Sequence, residues 1–255
     1  MTEERNIKLI VEYDGTPFLG FQTQDTGPTV QSELEKAVFH ITRQKPILRA
    51  AGRTDAGVHA LGQVVNFKTQ TGLSPQRLML ALNAVVHKSI AIKHVEEMPL
   101  SFDAKKDAQW KRYQYTIYQA QAESALARHK SWHIRQRLEI EHMQQASQHL
   151  LGEQDFESFR HTHCQAAHAR RHLYKIDFRI QEESAYGFFL HITYQGNAFC
   201  RHMCRIFTGT LVDVGRQRLN SQDVLRILQA KDRTQASMTA PAQGLCMLEV
   251  GYIPL

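Results

Sequence analysis

Two ten-residue runs, HLYKIDFRIQ (172–181) and YGFFLHITYQ (186–195), are separated by only the four residues of a polar turn, EESA. Both alternate apolar with polar side chains, the period of a half-buried strand. So short a connection favours antiparallel pairing, because a parallel crossover needs a dozen residues or more. A chain that contains such a pair commits part of itself to an antiparallel sheet, and the remaining text must supply what covers it.

Helical spacing supplies the cover. In TVQSELEKAVFHITRQ, Val30, Leu34, Ala37, Val38 and Ile41 share one face, with Thr29 placed to cap the N-terminus. Ser74-Pro75 opens a second helix with Leu78, Leu82 and Val85 on its face. EIEHMQQASQHLLG is helical with Gly152 as its stop, and AFCRHMCRIFTGTLVDVG presents Phe199, Met203, Ile206 and Leu211. SQDVLRILQAK makes a shorter helix with Ser221 as cap. Between these, NIKLIVEY, PILRAA, GQVVNFKT, SIAIKHV, WKRYQYTIYQ and LCMLEVGYI read as further strands. The class is α+β: two lobes of mixed, mainly antiparallel sheet with helices on one face of each sheet and the other face free. A polar turn near Pro99 to Lys106 sets the expected boundary, giving lobes 1–104 and 105–255 with a cleft between them.

Composition decides what such a chain meets. The 255 residues are 42% hydrophobic, enough for a sizeable core, and no run approaches the roughly 20 apolar residues of a membrane span. MTEERNIKLI lacks the apolar stretch of a secretion signal, and Cys164, Cys200, Cys204 and Cys246 are too few for a disulfide scaffold. The expected location is cytoplasmic. The net charge of +6 comes in short clusters, among them Lys105-Lys106, Lys111-Arg112, Arg170-Arg171, Arg201 with Arg205, and Arg216 with Arg218. A basic surface of this kind concentrates polyanions.

AGRTDAGVHA (51–60) lies between two strands and carries Arg53, Asp55 and His59 among small residues. An aspartate here can form a turn, pair with a cation, bind a metal or act on a substrate. Asp55 and His59 stand at i and i+4, but no further acidic or histidine ligand is near in sequence. A carboxylate held ionised by a neighbouring arginine, on a loop that strands keep rigid, suits acid–base or nucleophilic work better.

AGRTDAGVHA resembles the signature of the tRNA pseudouridine synthase I (TruA) family. YDGTPFLGFQ, TVQSELEKAV, GQVVNF, KRYQYTIY, FESF, NAFCRHMCRIFTGTL and TAPAQGL follow in the family's order. The resemblance implies a homodimeric enzyme that isomerises uridine to pseudouridine on the 3′ side of the tRNA anticodon stem-loop, with no metal or small-molecule cofactor. It makes Asp55 the attacking carboxylate, Tyr113 the aromatic that stacks on the target base, and Arg205 the partner of the aspartate. Leu245 would line the pocket and Arg53 help the nucleotide leave its stack. His59, Lys111, Arg112, Arg170 and Arg171 complete the expected substrate contacts. The absence of a Walker loop and of GxGxxG suits an isomerisation, which needs neither energy source nor electron carrier.

Two stretches depart from the family pattern: VVHKSI stands where members commonly carry LP-x-DI, and FDAK where they carry FHAR, so that Asp103 replaces a histidine and Lys105 an arginine. An aspartate facing RNA would repel phosphate, and lysine lacks arginine's bidentate fork. HTHCQAAHARRH (161–172) is rich in histidine, but its spacing fits no zinc-finger pattern. A polar loop with Arg170 and Arg171 on phosphate is the preferred reading. Two competing functions are a catalytically silent RNA-binding module, which would have lost the aspartate, tyrosine or arginine, and a metal-dependent hydrolase built on that histidine-rich loop.

Overall fold

The first strand, β1 (Arg5–Tyr13), shows why its sequence alternates. Ile7, Leu9, Val11 and Tyr13 are all but fully buried on one face, while Lys8, Ile10 and Glu12 are half-buried on the other. The coordinates are a computed structural model that describes residues 3–184 and 186–254. After β1 come α1 (Val30–Thr42), β2 (Arg49–Ala50), β3 (His59–Thr69), α2 (Pro75–Val85), β4 (Ile90–Met98), β5 (Trp110–Ala120) and β6 (Trp132–Ile134). Then follow α3 (Ile140–Ser147), β7 (Gly152–Asp155), β8 (Arg170–Ser184), β9 (Gly187–Gly196), α4 (Met203–Gly215), α5 (Ser221–Ala230) and β10 (Leu245–Gly251). The class is α+β: β1 pairs antiparallel with β3 and β4, β2 with β3, β5 with β9, and β8 with β7 and β9, while β5 and β6 pair parallel.

The chain divides into two units. One runs to Gln109 and regains the chain at Met247; the other is Trp110–Cys246. In the first unit the strand order is β4-β1-β3, with β2 and β10 also hydrogen-bonded to β3. Thr29 caps α1 in a reciprocal box with Ser32, and Ser74 caps α2 ahead of Pro75, as the sequence indicates. Val85, expected on the buried face of α2, is 40% exposed, because the helix ends there and Val86 is already extended. The sheet's second face is also not bare. The Asn6 side chain donates to the carbonyls of Pro99 and Phe102, and that of Asn66 donates to Asn6 and Phe102. These bonds clamp the 99–104 turn over that face, so two buried asparagines are fully satisfied there.

In the second unit the order is β5-β9-β8-β7, with β6 beside β5. The expected hairpin is present as β8 and β9; Ala185 of its turn lies outside the described residues. The core packs Phe156, Phe159 and Tyr194 around Phe207 of α4, with ring centroids 5.0 to 5.8 Å apart. α4 is buried on nearly every side, which explains its uniformly apolar text.

Three expectations about helices need correction. α4 begins at Met203 rather than near Ala198, because His202 adopts a left-handed backbone (φ 64°) that no helix continues through. α3 ends at Ser147 and tightens into a 3₁₀ turn at Gln148–Leu150 before Gly152 opens β7. The cap of α5 is Asn220, not Ser221: its side chain accepts from Asp223 N–H while Asp223 accepts from Asn220 N–H, and the Ser221 hydroxyl is bonded to His149. Asn220→Ala should lower stability by about 1 kcal/mol in urea denaturation while Asn220→Asp holds it. Equal stability of all three chains would refute the cap.

Candidate active site

The loop that joins β2 to β3 carries Arg53, Thr54 and Asp55, and the loop after β1 forms its bed. Thr54 is the residue that turns inward. Its hydroxyl lies 2.7 Å from the Tyr13 phenol oxygen in a buried hydrogen bond, and its carbonyl accepts from Phe21 N–H at 3.0 Å. Arg53 on one side of it is exposed and Asp55 on the other is half-buried. The Asp55 carbonyl accepts from Val58 N–H at 3.1 Å, which closes the turn. Gly20 makes the close fit possible. Its φ is +98°, and a Cβ there would stand 2.9 Å from the Thr54 carbonyl oxygen and 3.2 Å from the Ala56 nitrogen.

His59, expected to touch substrate, is buried at the start of β3. Its Nδ1 accepts from Gly15 N–H at 3.1 Å and also lies 3.2 Å from an Asp14 carboxylate oxygen. One nitrogen cannot accept from Gly15 and donate to Asp14 at once. The Gly15 bond selects the tautomer with Nδ1 unprotonated, and Asp14 is satisfied by the Thr16 N–H and hydroxyl at 2.9 and 2.6 Å. Both ends of the loop are therefore tied to the segment that follows β1.

In the second unit, Tyr113 is buried on β5, edge-on to Phe199 at 5.1 Å between ring centroids. Phe199 belongs to the turn that leads into α4, which is why it does not lie on the helix itself. Arg205, in the first turn of α4, donates from Nε to the Ala240 carbonyl at 2.8 Å, and the Ala240 N–H donates back to the Arg205 carbonyl at 3.1 Å. The Tyr115 hydroxyl donates to the Pro241 carbonyl at 2.7 Å. The segment TAPAQGL is thus pinned to both α4 and β5, and it delivers the buried Leu245 at the start of β10. Burial pushes the Tyr115 phenol well above its usual range, with the Arg205 charge pulling the other way, so Tyr115 stays a neutral donor.

The basic residues are spread over the second unit. Lys111 and Arg112 are half-buried on β5, where Arg112 bonds to Gln195 and lies over the Trp110 ring. Arg170, exposed, and Arg171, half-buried, open β8. In the histidine-rich loop, His161 packs on His202 with ring centroids 4.4 Å apart, and the Cys164 sulfur accepts from Arg201 N–H at 3.5 Å. Among the described residues no three His, Cys, Asp or Glu side chains converge as metal ligands would. Cys200 and Cys204 are buried, as their spacing suggested, and burial pushes the Cys200 thiol up to about 11. A thiol so placed is no nucleophile.

The two departures have structural jobs. The Asp103 carboxylate accepts from Lys105 and Lys106 N–H at 2.9 and 3.0 Å, and its own N–H donates to Asp107. Burial works to raise its pKa, but the Lys106 and Lys105 amide bonds and the charges of Lys106 and Arg49 outweigh it and hold the carboxyl low. Asp103 therefore organises the turn that carries two exposed lysines. In VVHKSI, His87 Nδ1 accepts from Ser89 N–H and its ring meets Phe18 edge-on, which shapes the turn into β4. Sequence reading missed Tyr13, Thr54, Phe199 and Ala240, whose contacts span long separations.

A sequence model of the tRNA pseudouridine synthase family matches residues 9–107 and 146–253. Proteins named tRNA pseudouridine synthase A are similar over nearly the whole chain. That of Geotalea uraniireducens is 43% identical over 97% of this chain and 100% of its own. Those of Geobacter sp. strain M21 and Acetivibrio thermocellus are 41% and 39% identical, each over 97% of this chain and 99% and 100% of their own.

Proposed function

The chain belongs to the tRNA pseudouridine synthase family, and from that premise we propose that it isomerises uridine to pseudouridine in tRNA with Asp55 as the nucleophile. The observation that carries the assignment of the residue is the conformation of its loop. Thr54 is buried and held there, between an exposed Arg53 and a half-buried Asp55. An arginine and a carboxylate presented together on a clamped loop suit a nucleotide that must be drawn out of its stack and then attacked.

The reaction breaks the C1′–N1 bond and makes a C1′–C5 bond. N1 ends with a proton, and the proton on C5 is lost to solvent, so atoms and charge balance without an electron carrier. Asp55 forms the transient covalent link, and attack at C6 of the base or at C1′ of the sugar gives the same balance. Tyr113 offers an aromatic face to the extruded base and Arg205 a charge to the carboxylate; unstacking costs a few kcal/mol, which such contacts offset. Leu245 gives the freed uracil an apolar wall against which it can turn before it rejoins. Lys111, Arg112, Arg170 and Arg171 supply phosphate contacts.

The target uridines are those on the 3′ side of the anticodon stem-loop, and the enzyme works in the cytoplasm as a homodimer, because the body of a tRNA reaches past a single active site. Among the described residues no helix is long and apolar enough to cross a membrane. The test is release of tritium from tRNA labelled at C5 of uridine, with and without chelator. Release of about one tritium per modified uridine, unchanged by chelator, is expected. No release from any tRNA would leave an RNA-binding module, or, if elemental analysis found stoichiometric zinc, the metal-dependent hydrolase.

A further inference from the structure

We propose that Tyr13 and Thr54 are positioning residues whose buried hydroxyl–hydroxyl bond holds the Asp55 carboxylate at its attacking distance. The inference rests on the reading of Asp55 as nucleophile. Thr54 is the residue just before Asp55, and three contacts fix where that stretch of backbone runs. Its hydroxyl meets the Tyr13 phenol at 2.7 Å, its carbonyl accepts from Phe21 N–H, and the Gly20 backbone leaves no room for the loop to sink. Tyr13 is the last residue of β1 and is held by the sheet on both sides, opposite Ala60 of β3 and Ile90 of β4. The phenol is therefore a rigid post, and the bond carries the rigidity of three strands to a loop that has little regular structure of its own. Both residues are buried, so the bond between them is shielded from competing water.

Position matters here because covalent attack needs reacting atoms within roughly 3–3.5 Å, and a misplacement on the order of 1 Å can cost on the order of 100-fold. Binding of tRNA depends on phosphate contacts spread over a larger surface. A loosened Asp55 should therefore lose kcat and keep KM. A merely structural bond would instead lower thermal stability and leave kcat alone at temperatures where the protein is folded.

The experiment uses the full chain with Tyr13→Phe, Thr54→Val, the double variant and Thr54→Ser. The first two remove one hydroxyl each at nearly constant volume, and Thr54→Ser keeps it. Tritium release should show kcat down about tenfold in each single variant with KM within about twofold of wild type. The double variant should be no worse than about threefold below the weaker single, since both changes break one bond. Thr54→Ser should keep at least half of the wild-type kcat. Wild-type kcat in either single variant, multiplicative losses in the double, or losses that track only the unfolded fraction in parallel thermal denaturation would overturn the proposal. An inert Asp55→Ala beside such results would leave the nucleophile standing and remove only its post, whereas an active Asp55→Ala would remove the nucleophile itself.

Discussion

Asp55→Ala should bind tRNA with an affinity within about threefold of wild type and release no measurable tritium, a fall in kcat of at least about 10⁴-fold, the scale on which loss of a covalent nucleophile is felt. Several contacts other than the carboxylate set the shape of the loop. Its turn is closed through the Asp55 backbone carbonyl, which alanine retains, and its position is set by Thr54, His59 and Gly20. The variant should thus stay folded at the assay temperature, which a parallel thermal denaturation checks. Asp55→Asn adds a sharper comparison, since it keeps the shape and removes only the charge and nucleophilicity. Either variant at more than a tenth of the wild-type rate would mean that another group attacks, and no other residue on the loop could do so: Thr54 faces inward and His59 is spent on Gly15.

What could be read from the sequence follows the range of the interactions involved. Thr29 and Ser74 cap their helices through bonds that reach three residues, so their roles are visible in local text. Asn220 and Ser221 are both good caps by type; the reciprocal bond with Asp223 and the pull of His149 decided between them, and the second lies 72 residues away. The start of α4 was hidden for a different reason. Phe199 and Met203 do stand at helical spacing, but Phe199 is used against Tyr113, and the chain accepts a left-handed His202 to put it there. The tertiary contact won over the periodicity. Arg53, Asp55, Tyr113 and Arg205 were singled out as candidates because each lies in a dense local motif. Tyr13 was not, being 41 residues from its partner Thr54, nor was Ala240, 35 residues from Arg205. His59 was expected at the substrate from the resemblance; the bond its Nδ1 accepts from Gly15 spans 44 residues and could not be read locally. Asp103 looked like a liability for RNA binding until its Oδ1 was seen to accept from the amides of the two lysines it presents.

Gly209→Ala should destabilise the second unit and slow the reaction, against what helix propensity alone would say. Residue 209 lies in the interior of α4, where alanine is favoured over glycine by about 1 kcal/mol. A Cβ at that position would stand 1.9 Å from the Met238 carbonyl oxygen, a backbone atom that must retreat by more than an ångström. Overpacking of this kind costs about 1–3 kcal/mol and sometimes more, so the steric loss outweighs the helical gain. The strain falls on the site. Met238 lies two residues before Ala240, whose two bonds with Arg205 and neighbouring bond from Tyr115 to Pro241 hold TAPAQGL in place, and Ser237 N–H is bonded to Thr210 of the same helix. Pushing this segment outward loosens Arg205 and Leu245 together. The melting temperature should fall by roughly 5 °C and kcat by about tenfold. Gly72→Ala is the control: nothing lies within 4 Å of its added methyl, and it should be neutral or gain about 0.4–1 kcal/mol. A Gly209→Ala protein that melts at or above the wild-type temperature, with kcat intact, would show that TAPAQGL yields freely and that its bonds to α4 and β5 do not fix the site.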